Sequence, residues 1–111
     1  MFNKSIKNKI INSIQGKNVI RVRYQKESDN GLVTKKIAPY DICSKTKKDS
    51  HAERDILIGW EYEEFGHDGH VTKPYLDNFI DIEVLAEKFD SNELKRLANP
   101  RNNTPCVTRN W

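Results

Sequence analysis

Apolar residues recur every four positions at the start of the chain, at Phe2, Ile6, Ile10 and Ile14, with Ile11 beside them. That spacing puts one apolar stripe on a helix whose remaining faces carry Lys4, Lys7 and Lys9, and Gly16 supplies its expected stop. From Asn18 to Lys26 the period changes to two. Ile20, Val22 and Tyr24 point one way, and Val19, Arg21, Arg23 and Gln25 the other, as in a half-buried strand with a cationic outer face. Ser28-Asp29-Asn30-Gly31 marks a hairpin turn, and residues 32 to 42 form the returning strand, ended or bulged at Pro39.

After a polar loop, SKTKKDSHAE at 44 to 53, a third strand from Asp55 to Tyr62 has apolar residues on both faces. Ile56, Ile58, Trp60 and Tyr62 alternate with Leu57, Gly59 and Glu61, which predicts a central position in the sheet. The Asp68-Gly69 pair favours a tight hairpin into a fourth strand at 71 to 76, and Ile80, Ile82 and Val84 mark a fifth. Asp90, with Glu93 three residues on, opens a short helix through Leu94 and Leu97 that Asn99-Pro100 ends. The expected core joins Ile20, Val22, Ile56, Ile58, Ile80, Ile82 and Val84 under the helix carrying Ile6, Ile10 and Ile14. These elements describe one mainly β (α+β) domain over residues 1 to 99, a strongly bent sheet or partly open barrel. A polar, flexible tail is expected from 100 to 111.

Length agrees, since 111 residues hold a single modest core. The 36% of hydrophobic residues argues against disorder, and 32% charge with no long apolar run argues against a membrane span, so the expected location is the cytoplasm. Cys43 and Cys106 stand far apart without C-x-x-C spacing and are expected to be inert thiols.

The net charge of +3 conceals a strong asymmetry: +7 over residues 1 to 26, +1 over 27 to 50, -8 over 51 to 90 and +3 over 91 to 111. Such a distribution can give one phosphate-seeking face and one that repels polyanions. Arg21 and Arg23, with Lys35 and Lys36 on the neighbouring strand, form a basic ladder whose spacing suits successive phosphates, and Tyr40 or Tyr75 could stack on bases. Enzyme signatures are absent: no G-x-S-x-G, H-E-x-x-H, P-loop or G-x-G-x-x-G occurs, so no catalytic residue and no cofactor is assigned. His67 and His70 flank a turn near His51, Glu53, Glu64 and Asp68, but two ligands on a hairpin tip do not close a metal site, and none is assigned.

The order of these elements resembles the WYL domain of bacterial regulatory proteins. The corresponding stretches are IINSIQGKNVIRVRY at 10 to 24, TKKIAPYDI at 34 to 42, RDILIGWEY at 54 to 62 and HVTKPYLDNFIDIEVLAEKF at 70 to 89. Asp55-Ile56-Leu57 stands at the naming Trp-Tyr-Leu, Lys36 and Lys73 stand where that family usually has arginine, and Phe79 takes the place of a further basic residue. The resemblance implies a five-stranded Sm-like or SH3-like barrel that senses a nucleotide or a single-stranded nucleic acid. It also implies a ligand-facing set of Tyr24, Lys36, Tyr40, Lys73 and Tyr75, to which the charge pattern adds Arg21 and Arg23. WYL domains usually control an attached DNA-binding helix-turn-helix, for which 111 residues leave no room, so a free-standing sensor acting on a partner regulator is expected, with a homodimer as an option. A protein interaction module and, after it, a small metal-dependent hydrolase are the competing classes.

Overall fold

The computed structural model describes residues 4–46, 53–62, 69–98 and 111. Helix α1 (Lys4–Gly16) precedes strands β1 (Asn18–Gln25), β2 (Leu32–Thr46), β3 (Glu53–Glu61), β4 (His70–Thr72) and β5 (Phe79–Lys88), and helix α2 (Ser91–Ala98) follows. The strands form one antiparallel sheet in the order β4-β3-β2-β1-β5. The chain is therefore mainly β with two helices, as expected, and the sheet is open: β4 and β5 are its edges rather than a closing pair.

Each helix covers one face. Under α1, Ile6, Ile10 and Ile14 pack on Ile20, Val22, Ile37, Ile42, Leu57, Phe79 and Ile82. On the opposite face Leu94 of α2 joins Val19, Ala38, Tyr40, Trp60 and Phe89, with Ile58 and Tyr62 at the margin. The expected core is thus right for Ile20, Val22 and Ile82 and needs correction elsewhere. Leu57, paired with Ile42, faces α1, so Ile58 falls on the α2 side. Both faces of β3 are apolar, and alternation alone does not say which one meets α1. Ile80 and Val84 are 49% and 43% exposed. The register shift that puts Phe79 opposite Tyr24 and Asp81 opposite Arg23 leaves Ile80 as the extra residue of a bulge, and Val84 lies on an edge strand.

Local chemistry accounts for the remaining boundaries. Helix α1 runs through Gly16, and Lys17 takes the left-handed conformation at φ 59° that ends it, one residue beyond the expected stop. Pro39 does bulge β2, between Pro39 and Asp41, and the strand then continues to Thr46. Strand β4 is shorter than expected because Pro74 has no N–H to offer the ladder; its carbonyl still accepts from the Leu57 amide at 3.0 Å. Asp90 caps α2, its Oδ1 accepting from the amides of Asn92 (2.9 Å) and Glu93 (3.3 Å).

Cys43 is disulfide-bonded rather than a free thiol, its partner lying outside the described residues. His51, Glu64, His67, Asp68 and most of the 44–53 loop also lie outside them. Of the 100–111 segment only Trp111 is described; its indole donates to the Ile14 carbonyl at 2.7 Å and packs edge-on to Phe89. No described helix is long and apolar enough to cross a membrane.

Candidate ligand-binding face

Residues opposite each other in an antiparallel pair share a face. The register sets Arg21 against Lys36 and Arg23 against Thr34, so these four stand together on the α2 side of the sheet, beyond the part α2 covers. Lys35 pairs with Val22 and therefore faces the α1 side. The four-residue basic ladder is in fact a cluster of three cations and a hydroxyl, because neighbours along a strand cannot share a face.

Strand β5 brings carboxylates to the same place. Glu83 lies opposite Arg21 and Asp81 opposite Arg23. Arg21 donates to Glu83 at 2.6 Å, and Lys36 pairs with Glu87 at 2.7 Å while its ammonium stands 5.5 Å from the centre of the Tyr62 ring. These pairs are substantially exposed, with Arg21 and Glu83 side chains at 52% and 62%, so each contributes little to stability and is screened by salt. A cleft of about 330 Å³ opens among Arg21, Arg23, Thr34, Asp81, Ile82 and Glu83, of a size suited to a small ligand. Arg23 stands exposed at its wall. A phosphate entering this cleft would meet two guanidinium groups and the Thr34 hydroxyl, in exchange for loose carboxylate partners.

The other expected site residues are scattered. Tyr40 is 6% exposed and belongs to the core under α2. Tyr75 is half-buried beneath the Arg54 guanidinium, which stacks 3.7 Å from its ring centre. Arg54 in turn grips both Asp77 oxygens (2.9 and 2.7 Å) and Glu27, while Asn78 donates to the same Glu27 oxygen at 2.9 Å. The hydrogen bonds to Asp77 above all hold the Arg54 guanidinium more firmly protonated than usual. This clamp ties the β1–β2 turn to β3 and the segment before β5, a structural task that occupies Tyr75. Lys73 is exposed just after β4.

Tyr24 lies on the α1 side, tilted against Phe79 at 5.6 Å. It belongs to a second polar group that composition did not reveal. Glu61 is only 4% exposed, and one of its oxygens is shared by Lys35 Nζ (3.5 Å) and His70 Nε2 (3.2 Å). The signal was present in the alternation, which put Glu61 on the same face as Leu57, yet a glutamate at a strand end reads as solvated. Burial, and then the Glu61 charge, push the Tyr24 phenol above its ordinary range, and burial followed by Glu87 and Glu93 does the same to Tyr62.

Both phenols are therefore harder to ionise in the folded chain than in the unfolded one. The stability they contribute is fully present below about pH 10 and is lost as pH rises through their folded values. A phenolate absorbance titration of the folded protein should show Tyr24 and Tyr62 ionising above the ordinary phenol range. Tyr24→Phe and Tyr62→Phe should each remove one late step from the profile, and a substitution that instead removed a step near pH 10 would contradict the placement of that residue.

No family model matches the chain, and no curated protein matches it in sequence. Among solved structures it is similar to proteasome accessory factor B/C (PafBC) of Arthrobacter aurescens, with a TM-score of 0.60 and 14% identity. The match covers 92% of this chain but only 14% of that one, so the similarity is one of fold, to a small part of a much larger protein.

Proposed function

We propose that this chain is a non-enzymatic regulatory domain that binds a nucleotide or a single-stranded nucleic acid on the β2–β1–β5 face and passes that signal to a partner regulator. The observation that carries the reading is the cleft walled by Arg21, Arg23 and Thr34, with Lys36 beside Arg21. The resemblance of the sequence to WYL domains and the likeness of fold to part of PafBC support the regulatory half of the reading. Tyr62, half-buried with its ring 5.5 Å from the Lys36 ammonium, takes the stacking role that the sequence suggested for Tyr40 and Tyr75.

Glu83 and Glu87 hold Arg21 and Lys36 in the free protein, so the phosphates must displace them. Affinity for nucleic acid is accordingly modest and depends on salt. Fluorescence anisotropy with a labelled single-stranded oligonucleotide tests this. Arg21→Ala and Lys36→Ala should each weaken binding and flatten its salt dependence by about one phosphate contact, while Glu83→Gln should tighten it several-fold. Lys9→Ala, on the exposed surface of α1, should change nothing. Equal losses at Lys9 and Lys36 would mean nonspecific attraction and would remove the site from this face.

A further inference from the structure

A separate pit of about 60 Å³ opens between β3 and the start of α2. Trp60 and Phe89, 7% and 6% exposed, belong to its lining, as do Leu94 of α2, the half-buried Tyr62 and the exposed carboxylates of Asp90 and Glu93. Three aromatic rings and two carboxylates around one small opening favour a cation and disfavour any anion. We propose that this pit is a docking site for an arginine side chain presented by a partner protein.

Size sets the occupant's scale. A drug-sized ligand needs about 300 Å³ or more, so this pit has room for the end of one side chain. Charge sets its sign. Asp90 has a structural task, since its Oδ1 caps α2. Glu93 is placed to complete a capping box, yet among the described residues its carboxylate accepts no hydrogen bond and forms no ion pair, leaving it available at the rim. Neither carboxylate of the pit is neutralised by the neighbouring cations: Lys36, 5.5 Å from the centre of the Tyr62 ring at the margin, is bound to Glu87, and Lys95 lies 6.0 Å from the Trp111 ring. Shape favours arginine over lysine, because a flat, weakly hydrated guanidinium can slide against aromatic rings while donating to a carboxylate at its edge. The pit shares no lining residue with the phosphate-binding cleft, and although Tyr62 serves both proposals, Glu93 serves only this one, so the Glu93→Gln arm tells failure of one from failure of the other.

The test is an amide and indole NMR titration of the whole chain with N-acetyl-arginine amide, against the lysine and norleucine analogues. The arginine probe should give saturable shifts at the Trp60 indole, Tyr62 and residues 89 to 94, with weaker binding by lysine and none by norleucine. Tyr62→Leu and Glu93→Gln should each weaken the arginine affinity about fivefold, the loss expected from one cation–π or one charge-assisted contact. Glu93→Gln keeps the helix and its Asp90 cap, so its effect reads the carboxylate rather than folding. Shifts by norleucine equal to those by arginine, lysine binding as tightly as arginine, or unchanged affinity in both variants would overturn the proposal.

Discussion

Replacing Gly59 by alanine should cost the domain about 3 kcal/mol and lower its melting temperature by roughly 15 °C. An added Cβ would stand 2.5 Å from Ile37 Cγ2, 2.9 Å from the Ala38 carbonyl oxygen and 3.2 Å from Pro39 Cα. Two of those three atoms are backbone, and the third belongs to a fully buried β-branched side chain, so no cheap movement relieves the contact. Gly59 lies opposite Pro39, next to the bulge that lets β2 bend, and absence of a side chain there is what allows β2 and β3 to close up. Thermal denaturation followed by circular dichroism checks this; a variant melting within a degree or two of the parent would mean that the β2–β3 register is wrong.

Leu57→Ala should cost about 2 to 5 kcal/mol, and Ile80→Ala less than about 0.5 kcal/mol. Leu57 is fully buried at the centre of the α1-side core, whereas Ile80 occupies a bulge at 49% exposure. Ile58, half-buried at the margin of the α2-side core, should fall between them. Denaturant melts of the three variants rank the positions. The sequence-based expectation, with Ile58 and Ile80 in the core under α1, requires large losses at both, so a small loss at Ile80 with a large one at Leu57 decides between the two arrangements.

The features legible in the sequence were those with a local cause. The i, i+4 isoleucines of α1, the two-residue alternation of β1, the Ser28–Gly31 turn and the Asp90 cap each follow from a few adjacent residues. What escaped depends on where strands meet. The bulge at Ile80 leaves Ile82 buried as expected but turns Ile80 outward and Phe79 inward, and nothing within FIDIEV announces it. The basic ladder lost Lys35 to the opposite face and gained three carboxylates, because Asp81, Glu83 and Glu87 are remote in sequence and adjacent in register or reach. Tyr40 and Tyr75 looked available for stacking until packing assigned one to the core and the other to the Arg54 clamp.

The acidic surroundings set a demanding condition for phosphate binding. A cleft with two arginines and two carboxylates binds an anion only if the anion competes with those carboxylates, and such competition weakens steeply as salt screens it. The most direct measurement is therefore the oligonucleotide affinity of the unmodified chain, followed from low to physiological salt. With Arg21, Arg23 and Lys36 each meeting one phosphate, log affinity should fall with log salt at a slope of about -2, following roughly -0.7 per contact on a single strand. Absence of binding at low salt, or an affinity indifferent to salt, would contradict a phosphate site on this face.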